Sequence, residues 1–138
     1  MKYKTMNPER VRYLVVHCSA TPAGMNIGLP EIDRWHRERG FFEIGYHFVI
    51  RRNGQIEKGR PLDKPGAHAA GHNQHSIGIC LVGGVADDKK TPEDNFTEEQ
   101  KATLRVLLNE LRPQFPNAEV LGHRDLPGVA KACPSFDV

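Results

Sequence analysis

The chain has 138 residues, enough for one compact domain and too few for two ordinary ones. Hydrophobic residues make up 38% and charged residues 26%, a balance that favours a globular fold over disorder. The 19 basic and 17 acidic residues leave a net charge of +2, too little to imply nucleic-acid binding and compatible with an anionic polymer such as a cell wall.

Met1 to Arg12 is polar and lacks a signal-peptide core, so synthesis and retention in the cytoplasm are expected; it reads as a frayed, solvated terminus, residues 1–10 forming a polar N-terminal segment. The apolar runs fall far short of the ~20 residues that a membrane helix needs, so no membrane insertion is expected. Val11 to Val16 is rich in β-formers and reads as a buried strand ending at His17. Ala20 to Leu29 reads as loop, and a helix is expected from Pro30, which suits a first helical position, to Gly40, which suits a C-cap. A second strand is expected over Gly45 to Arg51. Asn53-Gly54 then signals a type I′ hairpin turn, and Gln55 to Lys58 returns.

Gly59 to His75 lacks a period and reads as a long surface loop. Ser76 to Val82 is an apolar strand interrupted by Gly78. After the polar loop Asp87 to Asn95, Thr97 and Gln100 have capping-box spacing. Leu104, Leu107, Leu108 and Leu111 follow at helical spacing and should face the core, and Pro113 fits the helix stop. Glu119 to Gly122 is a short last strand that delivers His123, and loop follows from Arg124. Strands alternating with helices imply an α/β fold: a single domain, residues 1–138, with a central mixed β-sheet flanked by helices.

Zinc catalysis needs imidazoles, thiolates or carboxylates converging on one ion with a position left open. His17 and His123 close predicted strands, and Cys133 lies beyond a loop containing Pro127 and Gly128. Such a His₂Cys set suits a catalytic site. By spacing alone the signal is weak: a satisfied histidine is the commoner reading of each His, and a buried thiol is as common a reading of Cys133. Lys131 stands two residues before Cys133 and could stabilise an oxyanion, as could the Tyr46 hydroxyl, although a solvated lysine and a strand tyrosine are the blander readings. His47 should point away from Tyr46 and be structural. His68, His72 and His75 could line a groove. The three cysteines are too few and odd in number for a disulfide scaffold, and Cys18 and Cys80 read as core thiols.

Five ordered segments carry a family resemblance: Val16-His17-Cys18-Ser19-Ala20-Thr21, Gly45-Tyr46-His47-Phe48, Ser76-Ile77-Gly78-Ile79, Gly122-His123-Arg124-Asp125 and Lys131-Ala132-Cys133-Pro134-Ser135-Phe136-Asp137. Together they resemble the type 2 N-acetylmuramoyl-L-alanine amidases, which include phage endolysins and share their fold with animal peptidoglycan recognition proteins. The resemblance implies Zn²⁺ bound by His17, His123 and Cys133, with Tyr46 and Lys131 assisting catalysis. It implies substrate contacts from His68, in Gly66-Ala67-His68, and from His36, in Trp35-His36-Arg37. The implied substrate is bacterial peptidoglycan; a monomer is expected, and the lack of a signal-peptide core implies a membrane-permeabilising, holin-type partner that lets it reach the wall. Two other functions belong to this fold: a non-catalytic peptidoglycan-binding module and a regulator that binds a phage RNA polymerase. Cys133 favours the enzyme, since non-catalytic relatives lose the cysteine ligand.

Overall fold

A computed structural model describes residues 6–126 and 133–135. Five strands form one sheet: β1 (Tyr13–Cys18), β2 (Phe48–Ile50), β3 (Ile56–Lys58), β4 (Ser76–Leu81) and β5 (Glu119–Gly122). Their order is β3-β2-β4-β1-β5. β1 runs parallel to β4 and β5, β2 runs parallel to β4, and only the β3 hairpin is antiparallel. The mixed sheet expected from the sequence is present.

Side-chain alternation assigns the two faces of the sheet. Leu14, Val16, Ile77, Ile79, Leu81, Phe48 and Ile50 pack against one helix, α2 (Glu98–Leu111), through Leu104, Leu107, Leu108 and Leu111. On the other face, Val49, Cys80 and Val82 pack against Ile32 of α1 (Leu29–Glu38). α1 joins β1 to β2 across one face, and α2 joins β4 to β5 across the other. The chain therefore diverges in opposite directions from the carboxyl ends of the neighbouring strands β1 and β4, the place where open α/β sheets form clefts.

Both helix starts follow from local chemistry. In α1, Pro30 occupies the first turn and the Glu31 carboxylate accepts the Gly28 N–H at 3.0 Å. In α2, Thr97 Oγ1 accepts the Gln100 N–H at 3.1 Å, and Gln100 Oε1 accepts the Thr97 N–H at 2.9 Å. Fully buried Gln100 also donates Nε2 to the Ile50 carbonyl at 3.2 Å and the Val82 carbonyl at 2.9 Å. One side chain thus caps a helix and satisfies two strand carbonyls.

Three expectations are corrected. β2 is shorter than expected and leaves Tyr46 just outside it. The backbone there pairs with loop segments instead, with Arg60 N–H donating to the Tyr46 carbonyl at 3.0 Å and Ala67 N–H to the Gly45 carbonyl at 3.0 Å. The hairpin turn is not type I′. Among its residues only Gly54 has positive φ, +87°, and its N–H donates to the Arg51 carbonyl at 2.8 Å, which makes a three-residue loop. The N-terminal segment is not frayed from residue 6 onward: Met6 and Val11 are buried, and Met6 N–H donates to the Asp63 carbonyl at 2.7 Å.

Gln100→Ala should cost about 1–3 kcal/mol, because two buried strand carbonyls lose their donor. Urea unfolding should show a lower midpoint with an unchanged slope.

Candidate metal centre and cleft

His17 lies at the carboxyl end of β1, a strand paired on both sides, and is 1% exposed. As an odd-numbered residue of β1 it faces away from the α2 core. His123 follows β5 directly in a short 3₁₀ turn (His123–Asp125), and its ring centroid lies 4.4 Å from that of His17. Cys133 joins them from the distal loop, its Sγ 4.0 Å from His17 Nδ1. Ligand atoms of His17, His123 and Cys133 all lie within 4.8 Å of one another, the only such group of three among the described residues.

Three contacts hold Cys133 there. Cys18 N–H donates to its Sγ at 3.0 Å, and its carbonyl accepts the Arg124 N–H at 2.8 Å. The third is close packing at Gly122, where an added Cβ would stand 2.7 Å from Pro134 Cδ. The hydrogen bond from Cys133 lowers the Cys18 thiol to about 7, while that same partner and burial raise the Cys133 thiol well above its usual range. The Cys18 N–H stabilises charge on Cys133. Two imidazoles and a thiolate form a donor set that fits Zn²⁺ and leaves a coordination position open.

The group lies in a cleft of about 890 Å³ whose wall includes Tyr46, His36 and His68. The Tyr46 ring centroid is 5.1 Å from that of His17. Burial, then the Cys80, Cys133 and Cys18 sulfurs, raise the Tyr46 hydroxyl well above its usual range, so it is a proton donor at neutral pH. His36 accepts the Gly45 N–H on Nδ1 at 2.9 Å and packs its ring 5.3 Å from that of Tyr46. It therefore anchors the segment that carries Tyr46 as well as lining the cleft.

His68 lines the cleft and also touches His17 of the candidate group. Its Nδ1 lies 2.8 Å from His17 Nε2, and its Nε2 lies 3.2 Å from Ser76 Oγ. Both nitrogens are engaged by protein, so only its ring edge is left to the cleft. Its ring lies over Gly78, where an added Cβ would stand 2.6 Å from it. That contact explains the glycine in an otherwise apolar strand. Burial, then the His47 and His123 rings, lower His68 to about 3, so it is neutral.

His47 is structural, as expected: Nε2 donates to the Lys64 carbonyl at 2.7 Å, and Nδ1 accepts the Gly78 N–H at 3.0 Å. His72 and His75 do not line the cleft. They pack against Tyr13, with centroids 5.9 and 5.8 Å away. Lys131 lies outside the described residues. Sequence reasoning missed Ser76 and the Cys18 N–H, since neither has a spacing that betrays a role. The interruption of β4 at Gly78 was the one visible trace.

Comparison with known proteins agrees with this geometry. A family model described as N-acetylmuramoyl-L-alanine amidase matches residues 7–136. The endolysin of Enterobacteria phage K11 is 50% identical over 123 residues, covering 89% of this chain and 80% of that protein. Among solved structures, an endolysin N-acetylmuramoyl-L-alanine amidase, LysCS from Clostridium intestinale, superposes with a TM-score of 0.78 at 28% identity, covering 99% of this chain and 86% of that one. Wild-type Drosophila PGRP-LB superposes with a TM-score of 0.76 at 26% identity, covering 96% of this chain and 79% of that one.

Two outcomes follow from the site's packing and charge. Gly122→Ala should push Pro134, and with it Cys133, away from the two histidines, so zinc affinity measured by chelator competition should fall at least about tenfold. Burial lowers His47 to about 4, whereas the unfolded chain takes up that proton near 6.5. The unfolded state thus binds the proton first as pH falls, and stability present above pH 6.5 is lost towards pH 4, by up to about 3 kcal/mol from this group. Urea unfolding across that range, with the His47 ring followed by NMR, reads the loss and its source.

Proposed function

The chain belongs to the N-acetylmuramoyl-L-alanine amidase family, and from that premise we propose that it is a zinc hydrolase whose metal is held by His17 Nδ1, His123 and Cys133 Sγ. As an enzyme of that family it cleaves the amide between N-acetylmuramic acid and L-alanine in bacterial peptidoglycan, the activity of an endolysin. The observation that carries the zinc reading is the convergence of two imidazoles and a thiol within 4.8 Å at the floor of a cleft.

Zn²⁺ bound there supplies a Lewis acid for the lactyl carbonyl and lowers the pKa of water to about 7. The protein's own part is to position and to stabilise. The cleft, about 890 Å³, is large enough to seat a sugar and the start of a stem peptide. The protonated Tyr46 hydroxyl donates a hydrogen bond towards the oxygen that gains charge as the amide carbonyl becomes tetrahedral. Lys131 adds an ammonium to the same stabilisation, as the family resemblance implies. His36, with Nδ1 committed to Gly45, offers its Nε2–H to the substrate. His68 presents only its ring edge.

No helix among the described residues is long and apolar enough to cross a membrane. We read the protein as a monomer that reaches the wall from the cytoplasm through lesions made by a holin-type partner. The presence of the Cys133 ligand favours catalysis over a module that merely binds peptidoglycan.

Zinc-loaded protein incubated with purified peptidoglycan should release stem peptides beginning with L-alanine, identified by mass spectrometry, and Cys133→Ala should release none. Tyr46→Phe should lower kcat by about 10²–10³ with zinc content unchanged. Retention of the intact protein on the wall without cleavage would instead identify a binding module.

A further inference from the structure

A chain of hydrogen bonds runs from the candidate metal centre into the protein: His17 Nε2 to His68 Nδ1 at 2.8 Å, His68 Nε2 to Ser76 Oγ at 3.2 Å, and Ser76 Oγ to the His72 carbonyl at 2.7 Å. Its last member sets its direction. A carbonyl oxygen only accepts, so the single Ser76 hydroxyl proton must point at His72. If it pointed at His68, two oxygens 2.7 Å apart would face each other lone pair to lone pair. With its proton committed, Ser76 Oγ must accept, so the His68 proton resides on Nε2. His68 Nδ1 is then bare and accepts, so the His17 proton resides on Nε2. That leaves His17 Nδ1 unprotonated, and Nδ1 is the nitrogen 4.0 Å from Cys133 Sγ.

We propose that His68 is a positioning residue which, held by Ser76, locks His17 in the one tautomer able to bind a metal through Nδ1. The inference rests on the reading of His17 as a zinc ligand and deepens it. Metal-bound histidines generally donate their second N–H to a fixed acceptor, which orients the ring and raises its basicity. That acceptor is commonly a carboxylate, carbonyl or water. Here it is a second histidine, whose own tautomer is set one step further away.

The surroundings are shaped for this arrangement. The His68 ring rests on Gly78, and an added Cβ at Gly66 would stand 2.5 Å from it. Asn73 Oδ1 accepts both the His68 and the Ala69 N–H at 2.9 Å, fixing the backbone behind the ring. Ser76 is fully buried, so water does not compete for its hydroxyl.

The test combines a spectroscopic and a thermodynamic reading. Side-chain ¹⁵N NMR of the metal-free wild-type protein should show His17 and His68 as Nε2–H tautomers. Zinc affinity, measured by competition with a chromogenic chelator, should fall about 10–100-fold in His68→Ala and about tenfold in Ser76→Ala. His68→Asn, whose Oδ1 stands near the place of Nδ1, should recover most of the loss. A His17 Nδ1–H tautomer in the wild-type protein would overturn the proposal. So would zinc affinities for His68→Ala and Ser76→Ala within twofold of wild type. Should His68→Ala fail to fold, Ser76→Ala and His68→Asn decide on affinity. A wild-type protein that shows the Nε2–H tautomers but binds no zinc would sink the metal reading and leave the relay standing.

Discussion

The carboxyl end of β1 is the fixed point of this molecule. β1 is paired with β4 through His17 itself and with β5 as far as Val16, the residue before it, so the position of His17 is fixed by the sheet. Everything chemical is arranged around that end. His123 arrives where β5 runs out beside β1. Cys133 is drawn in by the N–H of Cys18, the next residue along the same strand. A candidate ligand far along the chain is thereby referred to a strand paired on both sides, which is how a site of three distant residues keeps its geometry.

Polar groups near this end are buried but satisfied, and that requirement explains residues with no direct chemistry. His47 bridges the Lys64 carbonyl and the Gly78 N–H, joining the long loop to β4. His36 ties α1 to Gly45 and so places Tyr46. Arg60, also buried, donates to the Ile44 carbonyl at 2.8 Å and the Pro65 carbonyl at 3.0 Å, knitting the same loop to the segment before β2. The loop over residues 59–75 has no regular ladder, and its backbone is held by these side chains instead. Neutral histidines suit the role, since each offers one donor and one acceptor at neutral pH.

Close packing then decides where rings can lie. Gly78 and Gly66 leave the space that the His68 ring fills, and Gly122 leaves the space for Pro134 beside Cys133. These glycines work by absence of a side chain rather than by backbone freedom, since none of the three has positive φ. The same economy appears at Gln100, where one buried amide serves a helix cap and two strands.

Much of this was legible in the sequence. Alternation and turn residues located every strand, the Thr97–Gln100 spacing located α2, and its leucines proved to be core. The ordered segments around His17, Tyr46, His123 and Cys133 pointed to the metal group before its geometry was known. What periodicity could not supply was partnership between segments far apart in the chain. His68 read as a groove residue and does line the cleft, but its contact with His17 had no trace in the sequence. Only the folded chain brings it, 51 residues from His17, to 2.8 Å from that ring. Tyr46 read as a strand residue, and its exclusion from β2 depends on which loop backbone pairs with it. The sequence by itself determined element types and the alternation of side chains along the strands, because these follow from local propensity, and the resemblance of its ordered segments implied the donor set. The tertiary structure alone decided which nitrogen of His17 faces Cys133 and which residue stands behind it, because those depend on distances closed by long-range packing.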